Sequence, residues 1–290
     1  MSGQTPRYLI SLSEPDPVAA ALAERWGTLP AAEGSVDGAP LRQLEPDRWV
    51  LRRPGPHIHD ERLDLRLPAG LRAVPVTVLF PSVHRSESGQ HCLTVHPLGN
   101  PGPAAELGGR PRTLVPTDPR TMASALRGLS EGAAALGTTA TFEATHHGPE
   151  LGVAAAFVEI AVVGDQRPTD GEVAVLERVL RSVVPEPADR VALGVGGGHY
   201  APRFTDLARS RRWAFGHLLS RHVLSELDPA TARAALAATP DAEGIVFARA
   251  QDRDHPAFRD LGPELKESLA PPRGGAGGAP SGRSLPTSGT

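Results

Sequence analysis

The stretch Thr141-Phe142-Glu143-Ala144-Thr145-His146-His147-Gly148-Pro149 opens with the two-residue alternation of a β-strand. Phe142, Ala144 and His146 fall on one face, and Glu143, Thr145 and His147 on the other. Gly148-Pro149 stops the run, because proline has no N–H for a ladder and glycine opens a turn. The strand therefore delivers a carboxylate, a hydroxyl and two imidazoles to the end of a sheet, where α/β proteins build their sites. Two other stretches end alike: Leu93-Thr94-Val95-His96-Pro97 and Gly194-Val195-Gly196-Gly197-Gly198-His199-Tyr200. The three termini are expected to meet.

Working outward, residues 75–80 form an apolar, β-branched run that reads as a central strand. It empties into a polar loop, residues 81–89. Asp118-Pro119 marks a helix start, with aspartate as cap and proline at the first position, and the helix runs over 120–136. Asp16-Pro17 repeats this signal after a first strand at 7–12. Residues 153–163 are a second continuous apolar strand, interrupted only by Glu159. An amphipathic helix follows at 171–184, with Val175, Leu176, Val179 and Leu180 inward. A strand at 191–195 runs into three glycines. Further on come a helix at 204–213, a short strand at 213–215, helices at 222–227 and 230–238, and an edge strand at 244–248.

Strands alternating with helices predict an α/β fold: one three-layer α/β/α domain over residues 1–268, with a mixed, mostly parallel sheet. Residues 269–290 are rich in Gly, Pro and Ser and are expected to form a disordered tail. The Pro/Gly-rich connection 97–116 carries Arg110 and Arg112, and a loop of that length is functional or mobile.

Composition narrows the classes. A net charge of −3 over 290 residues argues against a strongly basic, non-specific nucleic-acid coat. The single cysteine, Cys92, excludes an intramolecular disulfide and a Cys-rich zinc motif, and its apolar strand makes it a core residue. No run is long enough to span a bilayer and no signal peptide is evident, so a soluble cytoplasmic protein is expected.

Eleven histidines matter through their clustering. His84 and His96 each follow a strand beside small hydroxyl residues. Imidazole is a common zinc ligand, and catalytic zinc keeps a position open; taken alone, each ring reads in preference as a hydrogen-bonded surface or core residue. On a regular strand His146 and His147 point apart and cannot share a metal. Glu143 and His147 share a face, as a ligand and a base or as two ligands; the plain alternative is a satisfied polar strand end. The glycine run lets backbone N–H groups face an anion or oxyanion, with His199, Tyr200 and Arg203 directly after it; otherwise it is a tight loop. It is no GxxxxGK[ST] phosphate loop and no clean GxGxxG. His57-Ile58-His59-Asp60 has metal-like composition, but a polar loop is the preferred reading. There is no GxSxG elbow and no HExxH helix.

These blocks, joined by Ser82-Val83-His84-Arg85-Ser86-Glu87-Ser88-Gly89 and Ala201-Pro202-Arg203-Phe204-Thr205 with Ala214-Phe215-Gly216-His217, resemble the archaeal- and plant-type D-aminoacyl-tRNA deacylases. The blocks stand in that family's order. The resemblance implies hydrolysis of the ester joining a D-amino acid to tRNA, in translation quality control and D-amino acid detoxification. It implies zinc, with two ions, and a fold similar to the phosphorylase/peptidyl-tRNA hydrolase group. On that footing His84, His96, His147 and His199 are the expected metal ligands. Glu143, as ligand or base, joins His146 and Thr94 as the catalytic set. Ser86, Ser88, Gly196, Gly197, Gly198, Tyr200 and Arg203 would bind substrate. Arg211 and Arg212 read as a solvated helix face in preference to a tRNA contact. The expected partner is the acceptor end of D-aminoacyl-tRNA, met by a monomer with no membrane or obligate protein partner. The rival readings are a metal-dependent hydrolase of a small ester or amide, a nucleoside-processing enzyme on the same fold, and a non-catalytic RNA-binding module.

Overall fold

The first two Asp-Pro pairs do what their chemistry predicts. In the computed structural model, which describes residues 7–86, 89–210 and 212–261 and the backbone of Lys266–Ser268, Asp16 accepts from the backbone of Val18 and Ala19, and Asp118 from that of Thr121. The first strand, β1 (Arg7–Ser13), leads into the helix that Asp16 caps, α1 (Pro17–Trp26). Three strands follow, β2 (Ala31–Val36), β3 (Ala39–Glu45) and β4 (Arg48–Arg53), of which only the last, at Trp49-Val50-Leu51, is legible in the sequence. Two single-turn helices, α2 (Leu63–Arg66) and α3 (Ala69–Arg72), precede β5 (Val76–Arg85).

β5 corrects the sequence reading, because residues 81–85 continue the strand instead of forming a loop. Pro81 is tolerated there for a local reason. Pairing with β1 ends at Leu79, so the missing N–H removes no bond on that side. The centre of the chain supplies β6 (Cys92–Pro97), the small ladder of β7 (Gly99–Asn100) and β8 (Thr113–Leu114), α4 (Pro119–Ala135), β9 (Ala140–Phe142), β10 (Ala155–Val162) and α5 (Asp170–Ser182). The main sheet has eight strands in the order β2-β3-β4-β1-β5-β10-β6-β9. Its central pairs are parallel, while β10–β6, β2–β3 and β3–β4 are antiparallel.

The last third of the described chain forms a second sheet that the sequence did not announce. It contains β11 (Arg190–Val195), β12 (Trp213–Leu219), β13 (Gly244–Phe247) and β14 (Lys266–Ser268), all parallel, in the order β12-β11-β13-β14. Between them lie α6 (Pro202–Arg209), α7 (Arg221–Leu224) and α8 (Pro229–Ala237). The expected helices at 204–213 and 222–227 are both shorter than predicted, and the strand at 213 is longer.

Helices cover both faces of the main sheet. On one side α1, α4 and α5 bury Leu22, Leu126, Leu129, Leu176 and Leu180 against Ile10, Val95 and Val158. Each such leucine contributes about 2 kcal/mol. α4 and α5 approach closely at Gly132, where a Cβ would fall 2.4 Å from the Val175 side chain. On the other face Leu63, Leu67 and Leu71 cover Leu9, Val78 and Phe157. The proposed tail lies outside the described residues.

Candidate active site

Register builds the site. Across β5, β10, β6 and β9, the same sheet face carries a row of Ser82, Glu159, Thr94 and Thr141, beside a row of Phe80, Phe157 and His96. Glu159 was the one flaw in an apolar strand, and that was the signal the sequence reading passed over. It is buried, accepts the Ser82 hydroxyl at 2.5 Å, and lies 3.4 Å from His96 Nε2. His96 stacks on Phe157 with ring centroids 5.0 Å apart. Thr94, expected to be catalytic, is completely buried within this row. Its Oγ1, like the donor atoms beside it, is buried without a hydrogen-bond partner.

The turn after β9 departs from the predicted alternation. The strand ends at Phe142, and the next residues stitch the two sheets together. Ala144 N–H donates to His199 O and Thr145 N–H to Leu218 O. Thr145 Oγ1 turns away from the site, 3.0 Å from His217 Nδ1, while His217 Nε2 lies 2.9 Å from Val115 O. A carbonyl only accepts, so Nε2 carries the hydrogen and the threonine hydroxyl donates to Nδ1. His147 adopts the left-handed conformation (φ +43°), a conformation uncommon outside glycine. This swings His146 and His147 to the same side, with ring centroids 4.3 Å apart and 4.1 and 5.0 Å from that of His96. The expectation that they cannot share a metal is corrected by this break in the strand.

Main-chain carbonyls set three of these rings. Nδ1 of His146 lies 2.8 Å from Ala144 O, that of His147 2.7 Å from Gly148 O, and that of His96 3.2 Å from Pro97 O. Each Nδ1 therefore carries a hydrogen, and a neutral ring presents its Nε2 lone pair elsewhere. Burial, aided by the charge on His96, keeps His146 and His147 neutral, the latter pushed down to about 4. Burial opposes the charge on His96 too, but the contact with Glu159 outweighs it and raises that ring. Burial likewise pushes Glu143 and Glu159 up. The contact with His199 and the charge of His96 outweigh it for Glu143, and His96 does so for Glu159, so both carboxyls are pulled down to about 2 and stay ionised at neutral pH.

The donor atoms of His84, Glu143, His146 and His199 lie within 4.8 Å of one another, as do those of His96, His146 and His147, and those of His96, Glu143 and Glu159. All four histidines predicted as ligands are thus brought together. His199 Nε2 is 3.1 Å from Glu143 Oε2. Both oxygens of Glu143, Oε2 of Glu159 and Nε2 of His96, His146 and His199 are buried without a geometrically sound hydrogen bond. Buried lone pairs and carboxylates left so are costly unless a cation takes them. The donor set is nitrogen and oxygen, which fits zinc. Cys92 is not part of it; burial pushes its thiol up to about 12.

The remaining predicted residues fall around this cluster. Tyr200 donates its hydroxyl to Ser86 at 3.0 Å. Gly196 and Gly197 have positive φ (+101° and +86°), but the Gly196 N–H is spent on Leu219 O. It therefore cannot serve an oxyanion. Arg203 donates to the Ala248 carbonyl, which ties α6 to the end of β13. Arg212 sits 3.9 Å from Asp189 on an exposed face. Ser88 and Arg211 lie outside the described residues. In the early segment, His57 is buried edge-on to Phe80 and Phe157, and Asp60 pairs with Arg53 and Arg66. The expected polar loop is thus a single helical turn with a buried ring, and none of its residues joins the donor groups. A cleft of about 390 Å³ opens beside the cluster, walled by His84, His146, His147 and Glu159.

Fold and site define a class: α/β proteins whose strand ends converge on a buried histidine–glutamate centre suited to divalent cations. Within it, the sequence profile of the D-aminoacyl-tRNA deacylase family matches residues 72–262, and the chain belongs to that family. A D-aminoacyl-tRNA deacylase of Thermoplasma acidophilum is 38% identical over 170 residues, covering 58% of this chain and 65% of the relative. One of Methanosarcina mazei is 38% identical over 186 residues, covering 62% and 61%. One of Thermoplasma volcanium is 33% identical over 189 residues, covering 65% and 72%. The matched stretch spans less than two thirds of the first two relatives. A crystal structure of a conserved protein of unknown function shares the fold at a TM-score of 0.71 and 26% identity, over 87% of this chain and 91% of that one.

Proposed function

We propose that the protein hydrolyses the ester joining a D-amino acid to the 3′ end of tRNA, with zinc as cofactor. The observation that carries this reading is the set of inward-aimed, otherwise unpartnered donor atoms, every one of which lies inside the family-matched segment. His84 and His199 would hold one ion and His96 and His147 a second, with Glu143 and His146 beside them. Bound zinc supplies Lewis acidity, polarising a carbonyl and making water more acidic.

The chain's own groups do the rest. Water adds to the ester carbonyl carbon and the ribose oxygen departs with a proton, which yields the amino acid and tRNA. Glu143, ionised and beside His199, is placed to take the proton that water loses. The N–H groups of Gly197 and Gly198 are the remaining candidates to face the developing oxyanion. Tyr200 and Ser86 form the rim on the same side. The preference for the D form rests on the family relationship alone. No helix among the described residues is long and apolar enough to cross a membrane. We place the reaction in the cytoplasm, where tRNA is charged, as a quality-control step that clears D-amino acids from tRNA.

The test is amino-acid release from matched D- and L-tyrosyl-tRNA, with and without a zinc chelator. The expected result is release from the D form only, lost on chelation and restored by zinc. Release that persists under chelation would leave the histidines as acid–base groups and remove the metal. Hydrolysis of small esters with tRNA ignored would favour the rival hydrolase.

A further inference from the structure

We infer that the cleft beside the cluster receives the side chain of the amino acid, apolar or aromatic, and that Leu107 selects for it. This rests on the deacylase reading. The cleft shares His146, His147 and Glu159 with the cluster, so whatever fills it lies against the donor atoms. Away from them its lining changes character, to Pro15, Pro56, Ile58, Val83, Leu107 and Phe157.

An aminoacyl ester is two-ended about its scissile bond. One end is a single amino acid; the other is ribose, base and phosphate. Unpaired bases are held by stacking on aromatic or guanidinium planes, and phosphates by N–H groups and cations. This cleft offers a single guanidinium and no Phe, Tyr or Trp ring free to stack. Phe157 is buried and its ring is stacked between Phe80 and His96. The one arginine of the lining, Arg85, turns an N–H to the Gly164 carbonyl. The groups suited to a nucleotide, Tyr200 with the Gly197 and Gly198 amides, belong to the segment around His199, which is no part of this lining. A volume of about 390 Å³ is near the small end for ligand pockets and suits one side chain better than a nucleotide.

Leu107 is the telling residue. It is an apolar side chain left 55% exposed at the cleft, and it sits in the Pro/Gly-rich connection whose length already suggested function or mobility. The connection is pinned. Leu107 O accepts the Gly148 N–H at 3.0 Å, and Asn100 Nδ2 donates to Gly108 O at 2.8 Å. The loop also lies flush on its neighbours. A Cβ on Gly148 would fall 2.3 Å from Gly109 N, and one on Gly108 1.7 Å from Ile58 O. Leu107 is thereby fixed as a lip beside His147, where an apolar substrate group would cover it.

The experiment compares wild type with Leu107→Trp and Leu107→Asp, exposed changes that the fold tolerates, as a thermal melt would verify. kcat/KM is measured on D-tyrosyl- and D-alanyl-tRNA. Binding of the non-hydrolysable 3′-amide adenosine analogues of D-tyrosine and D-alanine is measured alongside. The expected result is that both variants lower the tyrosine-to-alanine ratio by about tenfold or more, in turnover and in binding. Turnover with an unchanged ratio in both variants overturns the pocket and leaves the deacylase reading standing. Analogue binding whose ratio shifts in the variants, without any turnover, upholds the pocket and removes the deacylase reading. Neither binding nor turnover overturns both.

Discussion

At the scale of the residue, the cluster shows how much chemistry one misplaced charge can reveal. His84, His96, His147 and His199 were legible because each stood at the end of an apolar run, and the structure brings all four together. Glu159 was equally visible as a carboxylate inside the strand Ala155–Val162, yet a single sequence does not say which face it occupies or what lies opposite. Register decides that by placing it between Ser82 and Thr94. Thr94 belongs to the same row, opposite Glu159. Glu159→Gln keeps the shape and the Ser82 contact while removing the charge beside His96. Zinc affinity is expected to fall about 10–100-fold, read by competition with a chromophoric chelator. Unchanged affinity would mean that Glu159 serves only to hold Ser82.

At the scale of the element, local chemistry was read well at helix starts and poorly at strand ends. Asp-Pro pairs are self-contained signals, since cap and first turn lie within four residues; α1 and α4 begin with the two that were read, and α8 with a third, Asp228-Pro229, that was not. Asp118 also accepts the hydroxyls of Thr121 and Thr77. Asp118→Ala is therefore expected to cost about 1–2 kcal/mol in a urea titration, with Asp118→Asn recovering most of it. A loss equal in both variants would point to the charge and not the cap. The stretch 141–149 misled because alternation assumes a strand that continues. Its geometry is dictated by partners remote in sequence, His199, Leu218 and His217, and by the positive φ of His147.

At the scale of the whole molecule, the α/β layering followed from the order of elements, whereas the split into two sheets did not. Nothing in β11 to β13 distinguishes them locally from strands of the main sheet. The sheets meet through the buried chain Thr145–His217–Val115, and this gives the fold an acid limit. Burial pushes His217 down to about 4, against the opposing bond to Val115. In the unfolded chain the ring titrates near ~6.5. Between these values the unfolded state holds a proton that the folded state refuses. Stability therefore falls as pH drops from about 6.5 toward 4 and is unaffected by this group above 6.5. At pH 5 the loss from His217 alone is about 2 kcal/mol. Urea unfolding of metal-free protein at pH 7.5 and 5.0 is expected to show a pH dependence shallower by that amount in His217→Asn; an identical slope would remove the ring from the balance. The path of the chain has one more consequence. The acceptors that orient His96, His146 and His147 are the carbonyls of Pro97, Ala144 and Gly148, which every residue type possesses. The tautomers are thus inherited from the route of the backbone and not from any side chain. Pro97 and Ala144 can drift in identity, as far as their conformation permits, without detuning the rings, whereas Gly148 has no room for a Cβ.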